Sequence, residues 1–363
     1  MRDDAWDGYG YGHGGRPSDI PLPARPEPGA GSEPPGARRP DAPPSLLSRV
    51  AESLFWMGRY VERADDTARL LDAFVHRMVE DPWTDEPAAC RSLLGVLGLS
   101  DAPPGPTAPF GPPLDTQATI RRIAFDEDSP SSITGALLLA RENARGVREV
   151  VSSEIWECLN VTRHGLAASR RSAEQLGPAA FLTHVRERAA LFSGLADATL
   201  SRDEGWRFLV LGRSLERADM TARLLSVFLT GDGPMPDRTT LLRAAGAEES
   251  FLRTYGGAAG TDRAVEFLLL DRLFPRSVLH ALSTAEECLL ALGPAAAERT
   301  GVADEARRPV GRLRTRLEYA DVSAFARELP TLLGDLGAAC AQATDAVARR
   351  FFPDAPLARW EGR

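Results

Sequence analysis

The chain has no lysine: all 43 of its basic residues are arginine. That absence excludes Schiff-base chemistry, a phosphate-loop lysine and a lysine general base. The heavy use of Arg, Ala, Gly and Pro fits the codon bias of a GC-rich genome, and the exclusion holds whatever its origin. Cysteine is scarce as well. Cys90, Cys158, Cys288 and Cys340 are widely dispersed, with no C-x-x-C pair and no Cys/His spacing suited to zinc. They read as small buried hydrophobes of a reducing compartment. None of His13, His76, His164, His184 and His280 has a glutamate three residues earlier, so the Glu-x-x-His pairs of a ferritin-type di-metal bundle are missing. H-E-x-x-H and G-x-S-x-G are absent. The aspartate-rich D-D-x-x-D pattern of terpenoid-synthase-like helices is only approached, by Asp65-Asp66-x-x-Arg69. No apolar run nears the roughly 20 residues that span a bilayer, and Met1-Arg2-Asp3-Asp4 opens on no signal-peptide core. The formal net charge of -8 argues against nucleic acid or an anionic membrane as a general partner. Together these absences predict a cytoplasmic protein with no membrane or nucleic-acid role.

What is present is helical periodicity. Residues 1–44 are rich in Pro and Gly and almost free of aliphatic side chains, so they read as a disordered tail. Gly10, Gly12 and Gly15 match a dinucleotide fingerprint in letters only, since neither a strand nor a helix flanks them. From Ser45 onward apolar residues recur at helical spacing. The pattern predicts helices over 45–79, 86–98, 115–125, 131–150, 152–171, 178–200, 201–230, 238–255, 261–271, 276–292, 302–318 and 322–351, with Pro330 breaking or kinking the last. Surface loops are expected at 101–113 and 231–236, and a short tail at 353–363.

The chain also repeats itself. FWMGRYVERADDTARLLDAF, from Phe55, aligns with LVLGRSLERADMTARLLSVF, from Leu209, with 12 identical positions. A second anchor, Pro130-x-Ser132-Ile133-x-x-Ala136-Leu137, aligns with Pro275-x-Ser277-Val278-x-x-Ala281-Leu282. Pro275-Arg276-Ser277 reads as a helix start with Ser277 as a cap. The expected fold is therefore all-α: a pseudo-symmetric helical bundle over 45–352, built from two internally duplicated halves, 45–200 and 201–352.

On a helical wheel, Val61, Ala64, Ala68, Leu71 and Val75 form one apolar stripe, and Trp56, Leu70 and Phe74 a second. A charged band of Arg59, Glu62, Asp65 and Arg69 lies between them. The second copy repeats it as Arg213, Glu216, Asp219 and Arg223, with Arg63 matched by Arg217. Asp66 becomes Met220 and so drops out of the repeated set. One reading pairs Glu62 with Arg59 and Asp65 with Arg69 along an exposed helix, worth a few tenths of a kcal/mol per pair. The other has the two helices meet and their charges interlock as a buried network, whose arginine forks could hold a carboxylate or phosphate. The persistence of all four charges together with Gly58 and Gly212 favours interlocking. Glu142, retained as Glu287, completes the candidate network. No residue is assigned to catalysis, to a cofactor or to a metal; a metal held by the carboxylates alone is a further alternative.

SLLSRVAESLFWMGRYVERADDTARLLD, ARENARGVREVVSSEIWECLN and FLLLDRLFPRSVLHAL, in that order, resemble the bacterial alpha-E domain family over residues 45–352. The family's E-R motif matches Glu62-Arg63 and again Glu216-Arg217. The resemblance implies an operon setting with a circularly permuted ATP-grasp ligase-like protein, a transglutaminase-like protein and, in some clusters, a proteasome-like peptidase. It thereby implies an accessory or binding role, without catalytic residues to carry over, in a system that makes or processes a peptide or amide bond. The alternative is an enzyme or ligand-binding protein that takes a carboxylate or phosphate on the arginines.

Overall fold

The computed structural model describes residues 46, 48–99, 114–230, 237–293, 304–320 and 322–352, the side chains of 230 and 322–327 excepted. The expectations for 1–44 with its glycine fingerprint, for the loops at 101–113 and 231–236 and for the tail at 353–363 lie outside the described residues. Among the described residues there are thirteen helices and no strand. They are α1 (Ser48–Glu80), α2 (Glu86–Val96), α3 (Thr116–Phe125), α4 (Ile133–Arg145), α5 (Ser153–Leu176), α6 (Ala179–Thr199), α7 (Glu204–Thr230), α8 (Arg238–Ala244), α9 (Glu248–Tyr255), α10 (Thr261–Leu270), α11 (Val278–Leu292), α12 (Arg307–Glu318) and α13 (Val322–Phe351). The protein is all-α. Among the described residues no helix is long and apolar enough to cross a membrane.

Three helix expectations need correction. The single helix expected over 238–255 is two, because Gly246 turns the chain at φ +61, a conformation that costs little only without a Cβ. The helix expected to reach residue 150 ends at Arg145 and is capped by Gly146. Pro330 does not break the last helix, which runs on through it. Leu329, Leu332, Leu333 and Leu336 are buried around that point, and their packing outweighs the one backbone hydrogen bond that proline removes.

α1 and α7 pack on each other at the centre, and their surroundings correspond. α1 packs on α4, α6 and α8, while α7 packs on α11, α13 and α2. The entries into α4 and α11 correspond atom for atom. Ser132 caps α4 by accepting from the Gly135 N–H and donates to the Asp126 carbonyl. Ser277 caps α11 by accepting from the His280 N–H and donates to the Asp271 carbonyl.

Two glycines bring the central helices together. A Cβ on Gly58 would strike the Leu209 carbonyl oxygen, and one on Gly212 would strike the Phe55 carbonyl oxygen. Each helix thus offers its bare backbone to the other one turn before its ER pair. Side chains that follow at spacings of three and four point at the same seam.

Candidate functional site

From Gly58 the seam side of α1 continues through Glu62, Asp65 and Arg69, and that of α7 from Gly212 through Glu216, Asp219 and Arg223. Arg59, Glu62, Arg63, Asp65, Glu216 and Asp219 are all buried. The carboxylates are exchanged between helices. Arg63 grips Glu216 with two bonds, Nε to Oε1 at 2.5 Å and Nη2 to Oε2 at 3.0 Å. Arg217 grips Glu62 in the same way, Nε to Oε1 at 2.5 Å and Nη2 to Oε2 at 3.0 Å. Paired donors on a guanidinium match paired oxygens on a carboxylate, so each fork fixes rotation as well as distance. The intrahelical Glu62–Arg59 pair is therefore not what forms.

Further from the crossing, the aspartates stay on their own helices. Asp65 accepts from Arg69 at 3.2 Å, and Asp219 pairs with Arg223 at 3.0 Å. The guanidiniums then reach across. Arg69 lies 2.8 Å from the point where a Cβ on Gly246 would sit, and Arg223 lies 2.9 Å from that point on Gly98. Both glycines have φ above +60° and follow corresponding helices, α8 and α2.

The correspondence fails in two places, and at the first the site holds Asp66, which lies outside the repeated set. Arg276, just before α11, donates to Asp66 and to Asp65 and lies 3.1 Å from Glu62. Its counterpart in the first half is Ser131, and the counterpart of Asp66 is Met220. The ion pair is thus present on one side and both its members are replaced on the other. On the Glu216 side the extra arginine is Arg59, whose Nε lies 2.6 Å from Oε2 and whose Nη1 donates to Thr344 Oγ1 of α13 at 2.6 Å. Arg213, the counterpart of Arg59, lies 3.8 Å from Asp197.

Glu142 and Glu287 do not join the network, which corrects the expectation. Both are exposed, and Glu142 pairs with its neighbours Arg141 and Arg145. The inward faces of α4 and α11 are small and apolar, with Ala136, Ala140 and Ala144 matched by Ala281, Ala285 and Leu289, all buried. Helical geometry then turns the glutamates to the outside.

Burial acts to raise the pKa of Glu62, Asp66, Glu216 and Asp219, and the arginines decide which remain low. At Glu216, Arg63 and Arg59 more than offset burial and bring the carboxyl down to about 2. At Glu62, burial is again opposed by Arg217 and Arg276, and the carboxyl lies below its usual range. Burial raises Asp66 to about 7, helped by Glu62 and Asp65 and only partly countered by Arg276. Burial opposes the charge on Arg276, but Asp66, Glu62 and Asp65 lift its pKa above the ordinary value. Asp65 Oδ1 and Asp66 Oδ2 are buried without a hydrogen-bond partner.

Glu62, Asp65 and Asp66 bring three carboxylate oxygens within 4.8 Å of one another, a separation that suits a metal ion. The Arg276 guanidinium already lies against all three residues. This donor set fits a guanidinium, and a metal would first have to displace it.

Comparison with known proteins agrees with the motif. The Alpha-E family model, described as a predicted alpha-helical domain with a conserved ER motif, matches residues 46–352. Three uncharacterised proteins, one of Mycobacterium bovis and two of Mycobacterium tuberculosis strains, are each 26% identical over 326 residues. The match covers 82% of this chain and 36% of each of theirs, so the chain spans about a third of the length of these relatives. No solved structure matches the chain.

Proposed function

The chain belongs to the Alpha-E family, and from that premise we propose that it is a non-catalytic helical module that works bound to another protein. The partner is of the ATP-grasp ligase-like or transglutaminase-like kind, in a system that forms or processes a peptide or amide bond. The observation that carries this reading is the filling of the arginine forks. The two-bond grips of Arg63 and Arg217 are taken by the protein's own Glu216 and Glu62. A buried carboxylate that holds an arginine in this way orients one helix on another, and a substrate carboxylate or phosphate would have to evict it. The length of the relatives adds support, since there the matched region is 36% of a longer chain and works beside further sequence. The partner class comes from the family resemblance.

Purification of the tagged protein from its native host tests the proposal. An ATP-grasp-like or transglutaminase-like protein from the same operon, retained in near-stoichiometric amount through gel filtration, is the expected result. A monodisperse chain that brings none of the operon's products with it would overturn the reading.

A further inference from the structure

Beside the charged seam, among the described residues, α1, α2, α7 and α8 meet around a gap. They enclose an apolar cleft of about 90 Å3, lined centrally by Leu70, Phe74, Leu224 and Phe228. Its outer edge carries polar groups, Arg77, Asp85 and Thr240. The cleft adjoins a smaller recess of about 20 Å3 through shared walls, Leu70, Val96, Leu224 and Ala244. That recess has room for one water-sized group, and its inner end is formed by Asp66, Thr221 and Arg276. Along α1, Asp66, Leu70, Phe74 and Arg77 are spaced by three or four residues, so they share one face of the helix over about 16 Å.

The chemistry at the inner end is one-sided. Thr221 Oγ1 donates to the Arg276 carbonyl at 3.2 Å. The Arg276 guanidinium is shared among Asp66, Asp65 and Glu62. Glu62 also holds Arg217 and Asp65 also holds Arg69, while Asp66 shares Arg276 with both. Asp66 Oδ2 has no partner, and 12% of the side chain stays open. What is missing there is a hydrogen-bond donor, preferably a positive one.

We propose that this cleft binds a small primary amine with an apolar body, its ammonium group on Asp66 and its body between Phe74 and Phe228. At about 90 Å3 the cleft takes part of an aromatic ring or a short alkyl chain, the remainder lying at its open rim. Burial, with Glu62 and Asp65 adding to it and Arg276 and Arg217 opposing it, holds Asp66 at about 7. An incoming ammonium supplies a donor to Asp66 Oδ2, the oxygen that the ion pair with Arg276 leaves unpartnered. The site goes beyond the accessory role proposed above and does not depend on which protein the module binds.

Calorimetric titration of the full chain at pH 8 with phenethylamine, phenethyl alcohol and 3-phenylpropionate tests the proposal. The amine is expected to bind at least tenfold tighter than the alcohol or the carboxylate and to raise Tm. Asp66→Asn should erase that preference while the alcohol's weak affinity stays unchanged. This variant is expected to fold, because a neutral residue, Met220, already stands at the matching position of α7. Val227→Phe, which fills the cleft away from the charges, should weaken the amine and the alcohol alike. Tighter binding of the carboxylate, equal binding of all three probes, no binding at millimolar concentration, or an amine preference that survives Asp66→Asn would each overturn the proposal.

Discussion

Among the described residues, Glu216 is one of the acids held by two arginines at once. It is 1% exposed and answers both Arg59 and Arg63. Glu216→Gln would keep the shape and remove the countercharge, leaving two buried guanidiniums underpaired. We expect a loss of about 3–5 kcal/mol in urea denaturation. The pH dependence has a definite sign. The Glu216 carboxyl lies at about 2 when folded, against 4.5 as its ordinary value, so its contribution is present above pH 4.5 and is lost as pH falls toward 2. Asp66 behaves in the opposite sense. Its pKa rises from 3.8 to about 7, so it favours the fold below pH 4 and is a cost above 7. Asp66→Asn should therefore gain stability relative to the parent as pH rises from 4 to 8, read from denaturation midpoints across that range. The same residue offers a cycle with Arg276. Arg276→Ser alone strands Asp66, while Glu62 keeps Arg217 and Asp65 keeps Arg69, whereas adding Asp66→Met copies the Ser131/Met220 arrangement of the other half. The double variant is expected to recover most of the single variant's loss, and simple additivity would mean that the two do not act as a pair.

At the scale of the element, the two central helices depend on having nothing at Gly58 and Gly212. Ordinarily alanine raises helix stability over glycine by about 1 kcal/mol. Here an added methyl meets the backbone of the other helix, which cannot rotate aside as a side chain can. Gly58→Ala and Gly212→Ala should each cost about 3 kcal/mol, measured by chemical denaturation. A stabilised variant would show that the helices do not approach as described. Element identity was legible from periodicity almost everywhere, because an apolar stripe must face a core whatever that core is. Where the reading missed, at Gly246 and Pro330, the outcome depended on neighbours. Gly246 ends a helix under the Arg69 guanidinium, and Pro330 is carried by leucines packed inside the bundle.

For the whole molecule, the forks tie 45–200 to 201–352 through partners 153 and 155 residues apart. The glutamates of the forks are exchanged between the halves: Glu216 neutralises Arg63, and Glu62 neutralises Arg217. The expected behaviour is one cooperative unfolding transition for the full chain, with circular dichroism and fluorescence coinciding. Residues 45–200 expressed alone should show no cooperative melt, and should regain one on mixing with 201–352. Separate melting of the two halves would contradict a seam of this kind.

The sequence by itself determined the helices, the duplicated glycine and the four-charge band, because periodicity and repetition are properties of the letters. It also located two Glu-Arg pairs, Glu62-Arg63 and Glu216-Arg217, and the matching family is described by a conserved ER motif. Only the tertiary structure decided who pairs with whom. A helical wheel offers Arg59 to Glu62, but across the glycine crossing Arg217 takes Glu62 with two hydrogen bonds. Comparing the halves retains what both keep, so it promoted Glu142 and Glu287, which face outward, and discarded Asp66, which faces inward. Asp66 and Arg276 meet across 210 residues of chain, and the one trace of that meeting in the sequence is that both change together in the other half.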